Sequence, residues 1–151
     1  MNSTNDTGAV AGPASGQTSH TRRLRGLAVT GFIATLVAMV ATTLAAALAQ
    51  AVGVDFAVAD GDEAIPLSGF AVVTGFFSVV GIVIAVALLR WSARPVERFV
   101  WTSVSLTAIS LVPPLLSGAD TAATIALLGL HLIAAAVMIP ALARSLRTRT
   151  D

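Results

Sequence analysis

The sequence predicts an all-α integral membrane protein whose four transmembrane helices form an up-down antiparallel bundle with both termini in the cytoplasm. Three observations predict it: the composition, four uncharged apolar segments, and the placement of the arginines. Of 151 residues, 56% are hydrophobic and only 11% are charged, whereas a soluble domain carries about 25% charged residues. Too few charges remain to cover a water-facing surface, so the natural solvent of the chain is lipid.

Four segments are long and apolar enough to cross the hydrocarbon core, which takes about 20 helical residues. They are residues 27–49, 67–89, 99–116 and 122–143, and none contains Asp, Glu, Lys or Arg. They lack the polar stripe of a helix in a soluble bundle and the period-two alternation of a transmembrane barrel strand. Because the connections are short, successive helices are expected to be antiparallel neighbours.

The basic residues predict the orientation. All nine are arginines, and they lie before the first helix, between the second and third, and after the fourth. The other two connections, residues 50–66 and 117–121, carry only acidic charges. The positive-inside rule therefore places both termini in the cytoplasm of a multi-pass plasma-membrane protein. The positions of Trp91 and Trp101 agree with this orientation. Both lie at predicted cytoplasmic helix ends, and aromatic rings of this kind prefer the headgroup layer.

The membrane domain is predicted to span residues 22–146, between two cytoplasmic tails. Residues 1–21 are rich in Gly, Ser, Thr and Asn, a composition that predicts disorder, and residues 147–151 form the second tail. An alternative for the first helix is a cleaved signal peptide, since Ala47, Leu48 and Ala49 resemble a small-x-small cleavage site. Its apolar stretch is longer than a signal-peptide core, which favours a transmembrane helix.

Small residues recur along one face of each of the first two helices and predict that these helices pack together. Membrane helices associate through small residues that let their backbones approach. The alternative is that a chain this rich in alanine places it on every face. The positions are Ala34, Ala38, Ala41, Ala45 and Ala49 in the first helix, and Ala71, Gly75, Ser78 and Ala85 in the second.

The third helix contains a predicted break. Pro113 and Pro114 lie near its outer end and have no backbone N–H to donate to the carbonyls one turn earlier. Ser103, Thr107 and Ser110, which we call the polar seam, share the helix face that leads to this break. Hydroxyl groups of this kind can satisfy carbonyls freed at membrane depth.

His131 is the only ionisable side chain within any predicted span and lies near the midplane of the membrane. Measured along the hairpin of the third and fourth helices, it is level with Thr107. Polar groups at this depth usually face other protein, so a hydrogen bond from His131 to the polar seam or to a freed carbonyl is expected to tie the two helices together. The alternatives are a proton relay, a ligand site or a metal site.

The sequence offers no catalytic residue, metal site or cofactor site. It has no cysteine, so no disulfide or thiolate chemistry is available. It has no HExxH, no GxSxG, no phosphate-binding glycine loop and no carboxylate pair within a span. The acidic residues 60–63 lack the ligand spacing of an EF-hand. The arginines are too few and too dispersed for a nucleic-acid partner.

Four short motifs carry a resemblance to a known family. They are GVDF after the first helix, RP in the second connection, SLVPPL in the third helix and HLIAAAVMIP in the fourth. With these motifs the chain resembles a family of small four-span membrane proteins from actinobacteria over about residues 22–146. The resemblance implies the four-helix fold, assigns no activity, and marks Pro114, Leu115 and His131 as positions that match the family pattern.

Three functions remain open at this point. The first is a non-enzymatic structural, interaction or assembly protein, whose partners are the lipid bilayer and either a second copy or another membrane protein. The second is a small-ligand transporter or binding protein that uses the polar seam and His131. The third is a membrane enzyme, for which a second ionisable residue at membrane depth is missing.

Overall fold

The computed structural model describes residues 14–56 and 65–150, and within these ranges every regular element is a helix. The helices are α1 (Ala14–Ala51), α2 (Leu67–Trp91), α3 (Pro95–Ser110), α4 (Val112–Leu116) and α5 (Thr121–Thr150). By length and composition, four segments can cross a membrane: Thr21–Ala51, Leu67–Trp91, Pro95–Leu116 and Thr121–Arg149. This confirms the four apolar helices predicted from the sequence.

The helices extend beyond the predicted apolar spans. Helix α1 begins at Ala14 and so includes residues 14–21 of the segment predicted to be a disordered tail, while residues 1–13 lie outside the described part. The disorder of that tail stays a prediction. Helix α5 continues to Thr150 through the segment predicted as a short tail. The physical reason is that lengthening an existing helix adds one hydrogen bond per residue without a new nucleation cost.

The third span is broken at Leu111, as the two prolines predicted. Helix α3 ends at Ser110, and α4 begins at Val112 with Pro113 and Pro114 in its first turn. The Leu111 N–H turns back to the carbonyl oxygens of Thr107, at 3.2 Å, and Ala108, at 3.3 Å. Bonds to two carbonyls tighten the last turn of α3, which is typical of a helix terminus.

Helix α1 is the centre of the packing. It lies along both α2 and α5, whereas the backbone of α3 comes close to the backbones of α2, α4 and α5 but not to that of α1. Gly31 of α1 lies against Ile82 of α2, and Met39 further along α1 lies against Gly75. Since residue numbers rise along α1 as they fall along α2, these two helices run antiparallel. The predicted contact between the first two helices is therefore confirmed.

Buried side chains form two clusters within the described residues. The first lies at the end of the fold that carries the chain's arginines, and the second lies at the opposite end. Large apolar side chains elsewhere on the helices, such as Phe32, Val83 and Ile109, are more than half exposed, as expected for surfaces that face lipid. The first cluster is Leu27, Ala34, Ala38, Ala85, Phe99, Met138, Leu142 and Leu146. The second is Ala46, Phe56, Ala123 and Leu130.

Phe56 closes the second cluster from the connection between α1 and α2. Gly53 turns the chain with a φ of 92°, a conformation that favours glycine, and the Val54 N–H donates to the Ala49 carbonyl at 2.9 Å. Phe56 is 1% exposed, and its ring meets that of Phe70 edge-on, with centroids 5.0 Å apart. The GVDF motif thus folds the connection back onto the helices.

Candidate functional site

The polar seam satisfies its hydrogen bonds mainly within α3. The Thr107 hydroxyl donates to the Ser103 carbonyl oxygen at 2.8 Å, and the Ser110 hydroxyl donates to the Thr107 carbonyl oxygen at 2.8 Å. All three seam side chains are half-buried. Of the two prolines beyond them, Pro113 is exposed and Pro114 is buried. The three seam side chains thus share one face of α3, but two of their hydroxyl groups donate to carbonyl groups of α3 itself.

His131 likewise bonds its own helix. Its Nδ1 lies 2.8 Å from the Leu127 carbonyl oxygen, and because a carbonyl only accepts, Nδ1 carries the proton. In the neutral ring this leaves Nε2 as an acceptor. The predicted hydrogen bond from His131 to the seam is not among those that the described residues form. The reason is that a carbonyl four residues earlier is always within reach, whereas a partner on α3 requires a fixed register between two helices. A role for these residues in ligand binding stays a prediction.

A hydroxyl pair between α1 and α2 is the interhelical polar contact that sequence reasoning missed. The oxygen atoms of Thr42 and Thr74 are 3.1 Å apart. Thr42 is 1% exposed, and its hydroxyl also lies 2.9 Å from the Ala38 carbonyl oxygen; either hydroxyl can be the donor in the pair. The available signal was the position of Thr42, four residues after Ala38 on the small-residue face of α1.

Helix α3 exposes two further hydroxyl groups. Thr102 and Ser105 are exposed, and the hydroxyl group of neither forms a hydrogen bond to another described residue. Ala108 is exposed one turn beyond Ser105. On a helix, residues three apart are neighbours on the surface, so these three small side chains share one outward face of α3.

Two of the acidic residues that the structure describes, Asp120 and Glu97, have local roles. The Asp120 carboxylate accepts the Ala123 N–H at 2.6 Å and caps the first turn of α5. Glu97 pairs with Arg94 at 3.5 Å. Over residues 21–56 and 65–149, where side chains are described, no three His, Asp or Glu side chains come close enough to hold a metal ion. The acidic residues 60–63 lie outside the described part.

Four long apolar helices, with few buried polar side chains between them, define a multi-span α-helical membrane protein. Residues 22–148 match the model of a family described as "Family of unknown function (DUF6069)", and the chain belongs to that family. The match includes all but the first residue of the first span and all but the last residue of the fourth. No curated protein and no solved structure matches the chain.

Proposed function

We propose that this protein is a non-enzymatic membrane protein that assembles with a second copy of itself through the outward face of α3. The observation that carries the proposal is the exposure of Thr102 and Ser105 on the span Pro95–Leu116, which is long and apolar enough to cross a membrane. Helix α3 also packs less extensively within the protomer than α1 does. A sparsely packed helix with outward hydroxyl groups is suited to an intermolecular contact.

The depth of Ser105 makes the exposure unfavourable for a monomer. Ser105 lies six residues after Phe99, about 9 Å along the helix at 1.5 Å per residue, and thus within the predicted hydrocarbon layer. A hydroxyl group without a partner in an apolar medium is unfavourable. Serine and threonine at such depth commonly form hydrogen bonds across helix interfaces, where small side chains allow close approach.

A second copy provides the matching surface. A serine hydroxyl both donates and accepts, so two Ser105 side chains related by a two-fold axis can satisfy each other. Two-fold contacts of this kind bring the same surface patch together from both subunits. The alternative of a ligand site at the polar seam has less support, because Thr107 and Ser110 donate to carbonyls of α3.

Cysteine cross-linking tests this assembly in native membranes. Since the chain has no cysteine, Ser105→Cys introduces a single thiol, and we expect mild oxidation to convert most of the protein into a disulfide-linked dimer. A disulfide requires Cβ atoms about 3.8 Å apart, so random collisions between loosely associated copies give little product. The matched control is Val83→Cys on α2, where the native side chain is 61% exposed.

Equal cross-linking of Ser105→Cys and Val83→Cys would contradict the proposed interface. Native mass spectrometry of the unmodified protein in mild detergent provides the independent check. If the protein is found in a complex with a different membrane protein and no dimer is seen, the assembly function is retained, but the partner is that protein and not a second copy.

The orientation is proposed with the assembly: an up-down bundle in the plasma membrane with both termini in the cytoplasm. We expect an impermeant thiol reagent to label Val52→Cys in intact cells and Ala93→Cys only after permeabilisation. Both native side chains are exposed in connections at opposite ends of the helices. The reverse labelling pattern would show that the orientation is inverted. An actinobacterial source is part of this proposal and fits a chain whose basic residues are all arginine.

A further inference from the structure

We infer that the junction of α1 and α5 at the arginine-rich end binds the phosphate group of an anionic phospholipid. Arg149 is the fixed donor of this site, and Arg22 and Arg23 complete it. The site lies on a different part of the protein from the outward face of α3 and does not depend on self-assembly.

The side chain of Arg149 is held in place by α5 and α1 together. Its Nε–H donates to the Ser145 hydroxyl oxygen at 3.2 Å, and Ser145 is itself 7% exposed. The guanidinium group lies against the backbone of Gly26, where an added Cβ would be 2.6 Å from Nη1 and 2.7 Å from Nη2. The guanidinium group can come this close to α1 only because residue 26 has no side chain.

Two further arginines lie on the adjacent turn of α1. Arg22 and Arg23 are four and three residues before Gly26, and residues with these spacings are neighbours on a helix surface. Both side chains are exposed. The contact between Arg149 and Gly26 therefore brings a third guanidinium group to the helix face that already carries two.

No described carboxylate balances this charge. Of the acidic residues that the structure describes, only Glu97 lies at the arginine-rich end, and it pairs with Arg94. Like charges placed together are unfavourable until an anion binds between them. A phosphate group suits the site because guanidinium donors match its oxygen atoms in geometry as well as charge.

The position of the site relative to the hydrocarbon layer favours a lipid headgroup over free phosphate. Gly26 immediately precedes the uncharged apolar stretch that begins at Leu27. The bond from Arg149 to Ser145, one turn earlier, directs the guanidinium group back toward the apolar part of α5. Both features place the donors at the boundary of the hydrocarbon layer, where lipid phosphates lie and basic pockets between helices bind them.

Native mass spectrometry with added lipid tests the site. Phosphatidylglycerol is expected to bind the native protein more tightly than phosphatidylcholine. Arg149→Gln should weaken phosphatidylglycerol binding about fivefold, the effect of one arginine near an anionic surface. The matched control Arg90→Gln removes an exposed arginine from the last turn of α2 at the same end and should leave binding unchanged. An equal loss of phosphatidylglycerol affinity in both variants would show that the lipid is attracted by the overall positive charge of this end, and it would overturn the proposed site.

A second pair of variants tests the geometry while keeping all nine arginines. Gly26→Ala places a methyl group where the guanidinium group lies and should weaken phosphatidylglycerol binding. Gly129→Ala adds the same methyl group where no atom lies within 4 Å and should not. Native affinity in Gly26→Ala would overturn the proposed placement of Arg149. Displacement of the lipid by an equimolar amount of inorganic phosphate would overturn the assignment to a headgroup.

Discussion

Replacement of Phe56 by alanine is expected to lower the free energy of unfolding by about 3–5 kcal/mol, the usual range for a buried phenylalanine. Phe56 is 1% exposed and fills the second cluster from outside the helices, where its ring meets Phe70. Its carbonyl oxygen also accepts the Ile65 N–H at 3.3 Å, which ties together the two ends of the connection. Truncation leaves a cavity and removes the contact that holds this connection against the helices.

The measurement is reversible unfolding of the purified protein in mixed micelles, followed by circular dichroism. Phe77→Ala is the matched control, because Phe77 is 63% exposed on α2 and its ring faces lipid in the proposed membrane arrangement. The control should change the stability much less. If Phe56→Ala lowers the free energy of unfolding no more than Phe77→Ala does, Phe56 does not pack into the second cluster.

Gly31→Leu is expected to destabilise the fold by about 3 kcal/mol through overpacking. Gly31 is buried where α1, α2 and α5 meet. A Cβ there would lie 2.6 Å from Ile82 Cγ1 and 3.3 Å from Leu142 Cδ2. Leu142 is fully buried, so its side chain cannot move away without disturbing the first cluster.

Gly129→Leu is the control for this substitution, because an added Cβ at Gly129 meets no atom within 4 Å. Both changes replace glycine by leucine within a helix, so the gain in helix propensity is shared. Thermal unfolding in detergent should separate the two variants by several degrees. Equal melting temperatures would mean that α1 does not approach α2 and α5 this closely.

Much of the fold was predictable because it depends on local properties of the chain. Each apolar segment satisfies its backbone hydrogen bonds internally and needs no partner to be a helix in lipid. The break near Pro113 was predictable for the same reason, since a missing N–H acts on its own helix. The ends of the helices were not predictable, because α1 and α5 continue into polar sequence that has no sharp stop signal.

The candidate site was predicted less well. The sequence identified His131 and the polar seam as the candidate polar site of the last two spans, and the structure places the seam on one face of α3. The expected bond between them depends on the relative rotation and height of two helices. A carbonyl one turn earlier has no such requirement, and His131 bonds Leu127 instead.

By itself, the sequence determined the number of spans, their approximate positions and the accumulation of arginine at one end. Only the tertiary structure decided which polar side chains meet, namely Thr42 with Thr74, and which glycines allow close approach, namely Gly31 and Gly26. The physical reason is that span formation follows from hydrophobicity and local hydrogen bonding. Pairing between helices depends on register, which alanine-rich apolar faces specify only weakly because many registers bury similar surfaces.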